Sequence, residues 1–147
     1  MGAPDTAGKC ILIIEDNPLN MKLFGAMVSA QGYGVLQAAD ARRGIDLAHR
    51  ECPDLIIMDV NLPGMSGLEA TQILKEDADT ADIPIIITTA HGMRGDEEEI
   101  RASGCDGFMA KPIGLAAFVD LIESLMRRGV SEPRYVRRLI ASSAARG

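Results

Sequence analysis

Residues 55–67 read LIIMDVNLPGMSG. Four apolar residues run straight into a carboxylate, Asp59, and Pro63 and Gly64 then break the run before Ser66. A short, unbroken apolar run is the pattern of a strand covered on both faces, as in a parallel sheet. Ser66, followed three residues later by Glu69, predicts a capping box and so the start of a helix. The stretch is one strand, one turn and one helix. Asp59 stands where core meets turn, and a carboxylate there is costly to desolvate unless a partner compensates it. It is either strongly supported or chemically employed.

The same unit recurs along the chain. Apolar runs stand at CILII (10–14), GVLQA (34–38), LIIM (55–58) and IPIIIT (83–88), with a weaker one at GFMA (107–110), separated by segments of helical length. This spacing predicts an α/β fold of five βα units around a parallel sheet. Asn17 followed by Pro18 reads as a cap with proline at the first helical position, and Gly32, Gly104 and Gly129 read as helix ends. In the last helix Leu115, Phe118, Val119, Ile122, Leu125 and Met126 form an apolar stripe that should pack on the sheet. By contrast HGMRGDEEEIRAS (91–103) offers little beyond Met93 and Ile100 for burial, so the fourth helix should be the least firmly held.

The chain of 147 residues, 47% apolar and only 3% aromatic, fits one domain with an aliphatic core. No apolar run approaches the roughly 20 residues that span a bilayer, and the first residues lack a secretory stretch, so a soluble, cytoplasmic protein is expected. Cys10, Cys52 and Cys105 have neither metal-ligand nor disulfide-framework spacing and are expected to be reduced. Residues 1–126 carry 9 basic and 20 acidic side chains, whereas 127–147 carry six arginines and one glutamate. An acidic body argues against a grip on phosphate backbones, and no nucleic-acid partner is expected for it.

In an open parallel sheet, ligands bind beyond the carboxyl ends of the strands. Glu15 and Asp16 follow the first strand, Asp59 ends the third, Thr88 and Thr89 follow the fourth, and Lys111 with Pro112 follows the fifth. Three carboxylates so close cannot all stay ionised without a cation, and Mg²⁺, which uses one or two carboxylates and keeps waters for phosphate oxygens, fits. Asp59 is then a nucleophile for phosphoryl transfer, with Lys111 and a threonine hydroxyl on the remaining oxygens.

These residues resemble the receiver domains of bacterial two-component response regulators. The resemblance is carried by the acidic pair in IIEDN, the acceptor in IIMDVNLPGMSG, the threonine in TTA and the lysine in AKPI. It spans about residues 10–128; EDNPLNMKLF, LPGMSGLEAT and MRGDEE look especially like single-domain regulators of cell division and polarity. It implies a flavodoxin-like, doubly wound (βα)5 sheet of strand order 2-1-3-4-5. Glu15, Asp16, Asp59 and the backbone carbonyl of Asn61 would hold Mg²⁺. Asp59 would accept phosphate, Thr89 would be the switch hydroxyl, and Lys111, before a cis proline, would bind the phosphoryl group. Phe108 stands at the aromatic switch position, where relatives commonly have tyrosine. Asn61 and His91 stand where the family tunes phosphoryl lifetime.

The resemblance implies a phosphoacceptor signalling protein rather than an enzyme, although it could assist its own phosphorylation and dephosphorylation. Histidine kinases or a histidine phosphotransfer protein would be phosphodonors and targets, and the fourth helix, fifth strand and fifth helix the output surface. It would be a monomer or weak dimer, recruited to a cell pole through partners. A dehalogenase-type phosphatase would want a second acid where Asn61 stands, and an FMN carrier would be repelled by EDNP. A phosphorelay intermediate and a phosphorylation-independent adaptor share the same residues and stay open. The domain reading is a disordered start (1–8), the receiver (9–128) and a basic extension (129–147), in which Pro133 can open a short helix with Val136, Leu139 and Ile140 on one face.

Overall fold

The structure, a computed structural model, describes residues 8–90 and 94–127. Five βα units follow one another: β1 (Cys10–Ile14), α1 (Pro18–Ala30), β2 (Gly34–Ala38), α2 (Ala41–Glu51), β3 (Leu55–Asp59), α3 (Gly67–Glu76), β4 (Ile85–Thr89), α4 (Arg94–Ala102), β5 (Gly107–Ala110) and α5 (Leu115–Met126). All the strand pairs are parallel and the sheet order is β2-β1-β3-β4-β5. This is the flavodoxin-like doubly wound arrangement expected from the sequence. Thr88 and Thr89 are the last two residues of β4 itself rather than residues after it. Gly129, the basic extension, Met93 and His91 lie outside the described residues, as do residues 1–7 of the start.

The unbroken apolar runs are explained by what covers them. Alternate side chains of a strand face opposite ways, so a strand with helices on both sides must be apolar throughout. In β1, Leu12 and Ile14 join Ile56, Met58, Ile85 and Ile87 against Ala48 of α2, Leu74 of α3 and Ile100 of α4. Ile11 and Ile13 join Leu55, Ile57 and Ile86 against Phe24 and Val28 of α1 and Phe118, Ile122 and Leu125 of α5. The edge strands β2 and β5 are only partly buried.

The helix signals hold with two adjustments. Asn17 caps α1 through the Leu19 and Asn20 N–H groups, and Gly32 and Gly104 adopt positive φ at helix ends. Ser66 caps α3 by accepting from the Leu68 N–H, one residue earlier than a capping box requires. On α5, Leu115 stays 53% exposed, while Phe118, Ile122 and Leu125 are buried. Leu121 turns in instead, because Gly107 of β5 has no Cβ: one added there would stand 3.2 Å from the Leu121 methyls.

Two polar ties lock α2, α3 and the α3–β4 connection. Lys75 Nζ donates to the Ala81 and Ile83 carbonyls and pairs with Asp106 at 2.8 Å, while Asp106 accepts the Ile85 N–H. His49, at the end of α2, has Nδ1 3.0 Å from the Ile45 carbonyl and Nε2 2.7 Å from Asp77 Oδ2. Both nitrogens face acceptors, and only the imidazolium can donate to both. The Asp77 hydrogen bond, then the Ile45 carbonyl, accordingly raise the His49 pKa above its usual 6.5. α4 is held more lightly: Glu97, Glu98, Glu99 and Arg101 are exposed and Ile100 is its buried anchor among the described side chains.

A raised folded-state pKa means that the His49 tie contributes its full stability below about pH 6.5 and loses it as pH climbs through the raised value. His49→Gln should therefore lower the thermal midpoint at pH 6 and have a shrinking effect above pH 8. Equal destabilisation at both pH values in thermal scans would refute the charged tie.

Candidate functional site

The parallel sheet brings the ends of β1, β3, β4 and β5 to one rim. Glu15 directly follows β1, where its N–H extends the ladder by donating to the Ala38 carbonyl at 3.1 Å. Its Oε2 accepts the Asn17 N–H at 3.1 Å, so the turn that caps α1 also aims this carboxylate. Asp16 beside it is exposed. Asp59 is the last residue of β3 and only 4% exposed. Its backbone is held on two sides: Val60 donates to the Thr88 carbonyl and Gly67 donates to the Val60 carbonyl at 2.9 Å.

Gly67 is essential to that packing. A Cβ on it would lie 2.0 Å from the Asp59 carbonyl oxygen, a clash with backbone that no rotamer change relieves. The start of α3 thus presses directly on the residue that carries the carboxylate.

Lys111 completes the cluster from β5, where its N–H donates to the Thr89 carbonyl at 2.7 Å and its bond to Pro112 is cis, as the resemblance implies. Its Nζ donates to Glu15 Oε1 at 3.0 Å and lies 3.4 Å from Asp59 Oδ2. The Asn61 N–H donates to the other Asp59 oxygen at 3.2 Å. Carboxylate oxygens of Glu15, Asp16 and Asp59 all lie within 4.8 Å of one another. Burial, then the hydrogen bond and charge of Glu15, push the Asp59 pKa up to about 6, against the opposing pull of Lys111 and the Asn61 N–H. One ammonium therefore does not neutralise the pair, and the donor set of three carboxylates fits a hard divalent cation.

The structure thus brings together Glu15, Asp16, Asp59, Asn61 and Lys111, with Thr89 buried at the end of the neighbouring strand. Thr88 stands opposite Asp59 in register, and its hydroxyl is a buried oxygen without a partner. Phe108 is half-buried on β5, and the Arg101 guanidinium lies 5.1 Å above its ring. His91 falls outside the described residues. Sequence reasoning missed Gly67 and Arg101. The glycine at the first position of α3 was a usable signal; nothing in the sequence near Arg101 points to a contact with Phe108.

Residues 11–123 match the family model of the response regulator receiver domain. The chain belongs to the response regulator receiver family. Across 118 residues, 80% of this chain and 96% of the relative, the receiver is 45% identical to the polar-differentiation response regulator DivK of Brucella ovis, and the match to that of Brucella abortus has the same identity. Among solved structures, it is similar to the receiver domain of the sensor histidine kinase PA1611 of Pseudomonas aeruginosa PAO1. That likeness has a TM-score of 0.77 at 33% identity and covers 82% of this chain and 98% of that one. The PA1611 receiver was solved with a magnesium ion coordinated in its active site cleft. The chemotaxis protein CheY4 of Vibrio cholerae gives a TM-score of 0.76 at 25% identity, covering 81% of this chain and 99% of that chain. The receiver described here is therefore a signalling protein of the two-component class. Among the described residues, no helix is long and apolar enough to cross a membrane.

Two consequences are measurable. Asp59 binds its proton more tightly folded than unfolded, so its ionisation costs stability increasingly as pH rises from about 3.8 to about 6, and fully above that. Without divalent metal, Asp59→Asn should stabilise the receiver by an order of 1–3 kcal/mol at pH 8 and by much less at pH 4; chelator-treated unfolding curves with no gain at pH 8 would contradict this. Gly67→Ala should destabilise by on the order of 1–3 kcal/mol or more through overpacking against the Asp59 backbone, measured by denaturant titration.

Proposed function

We propose that Asp59 accepts a phosphoryl group from a phosphohistidine on a kinase or histidine phosphotransfer protein, and that the modified receiver is read by binding. The observation that carries this reading is the cluster of Glu15 and Asp59, each almost fully buried, around Lys111, with Asp16 and its oxygens alongside. Glu15, Asp16, Asp59 and the Asn61 carbonyl would hold Mg²⁺, the ion named in the PA1611 receiver. Bound there, Mg²⁺ supplies positive charge against both the carboxylates and the phosphoryl oxygens.

The chain's own groups do the rest. An ionised Asp59 oxygen attacks phosphorus, the new O–P bond forms as the P–N bond of phosphohistidine breaks, and the imidazole leaves with the bonding electrons. Lys111, already within reach of Asp59, exchanges its carboxylate contact for a phosphoryl oxygen. The Thr89 hydroxyl takes another oxygen, which draws the end of β4 toward the phosphate. Phe108 then moves toward the space Thr89 leaves, and the α4–β5–α5 face changes. Asn61 and His91 set how water reaches the acyl phosphate and so its lifetime, through the receiver's own dephosphorylation.

The 45% identity to DivK supports a role in cell-division or polarity control, with histidine kinases as donors and targets and recruitment to a cell pole through them. Residues 9–128 form the receiver in this reading, and 129–147 a basic appendage to it.

Incubation with acetyl phosphate, followed by intact-protein mass spectrometry, tests the site. A single phosphoryl adduct should form with Mg²⁺, vanish with chelator and be absent from Asp59→Asn, and Lys111→Met should slow it by at least tenfold. An adduct that survives either chelation or Asp59→Asn would overturn the assignment.

A further inference from the structure

The contact between Arg101 and Phe108 is not required by the fold. The Arg101 side chain is 67% exposed, yet its guanidinium is fixed from two directions. Its Nη2 and Nε donate to Glu97 Oε1 at 2.8 and 3.2 Å, one turn earlier on α4, and its carbon lies 5.1 Å from the Phe108 ring centre. Glu97 thus sets the plane of a cation that covers one face of the ring.

The inner surroundings of the ring are defined by register. Phe108 lies opposite Ile87 and Ala110 lies opposite Thr89, and paired residues of parallel neighbours share a face of the sheet. Alternation places Ile87 and Thr89 on one face of β4, and Phe108 and Ala110 on the matching face of β5. The residue between the ring and the end of β4 is therefore an alanine, which leaves room beside Thr89. Phe108 has a cation over its ring, and the next residue on its face of β5 is the alanine that pairs with Thr89.

The geometry points to Arg101 as a positioning residue that holds Phe108 in its outward, resting place, with Glu97 as the group that aims it. The inference rests on the reading of Asp59, Thr89 and Phe108 proposed above and adds the element that opposes the switch. Phosphorylation must pull the ring away from the guanidinium, so the strength of this stack sets how readily the unmodified receiver visits the switched arrangement. An exposed cation–π contact of this kind biases that equilibrium by about two- to fivefold. Because α4 has Ile100 as its buried anchor, the stack also ties this helix to β5. Loss of the stack therefore frees helix and ring together.

The test uses the full chain carrying 4-fluorophenylalanine at its three phenylalanines, with the Phe108 resonance assigned by its loss in Phe108→Leu. Arg101→Met keeps the length of the side chain and removes the cation; Glu97→Gln keeps the cation and removes its guide. In both variants, without phosphodonor, the Phe108 fluorine resonance should shift toward its position in phosphorylated protein. Both should be phosphorylated by acetyl phosphate about two- to fivefold faster than the parent, and a Phe108→Leu background should erase that gain. The two substitutions change the charge of α4 in opposite directions, so a plain electrostatic effect on the anionic donor would move the two rates oppositely. Opposite rate changes, a gain that persists without Phe108, or an unmoved resonance in both variants would each overturn the inference. Should the parent form no adduct at Asp59, the phosphorylation reading fails by itself, and movement or immobility of the Phe108 resonance in both variants, relative to the unmodified parent, then decides alone whether Arg101 holds the ring.

Discussion

One ammonium between two buried carboxylates governs this rim. Glu15 and Asp59 come from neighbouring strands whose ends meet, and neither could be removed from water as an anion without Lys111 between them. The compensation is incomplete by construction, since two negative groups share one positive group while Asp16 adds a third at the edge. The raised Asp59 pKa expresses burial first and then that deficit. A site with unsatisfied negative charge and a lysine poised between acids is ready to exchange partners when cation and phosphate arrive together.

The scaffold distributes its firmness unevenly around this cluster. On the α2–α3 side, Lys75 binds two carbonyls and Asp106, and His49 binds Asp77. These polar ties sit on top of apolar packing through Leu74, Ile83 and Ala48. On the α4 side, among the described side chains, one buried isoleucine and an exposed guanidinium stack take the corresponding places. The two sides are built from similar lengths of helix, so the difference comes from side-chain chemistry.

Much of this was legible in the sequence because strands in a two-sided parallel sheet cannot hide. Three to five consecutive apolar residues mark β1, β3 and β4, and the residues at or just beyond their ends must lie at one rim. Glu15, Asp59 and Lys111 could therefore be grouped without coordinates. What could not be read was pairing across distance: Lys111 and Glu15 are 96 residues apart, and nothing local shows that their side chains meet at 3.0 Å. The same holds for His49 with Asp77 and for Arg101 with Phe108. The stripe on α5 did not show that Leu115 stays exposed or that Leu121 packs against Gly107, because the helical period does not register what lies on the neighbouring strand. Helical periodicity describes one element, whereas burial depends on two.

The contact between Gly67 and the Asp59 carbonyl has a directional consequence. With helix backbone seated against strand backbone, Asp59 has no slack toward α3, and a change in charge at its carboxylate cannot be absorbed by retreat in that direction. The opposite side of the carboxylate carries no such backbone contact from a helix among the described residues: Thr88 and Thr89 of β4, and beyond them Ala110 of β5, stand there. The carboxylate therefore has a rigid wall of backbone behind it and only side chains in front of it.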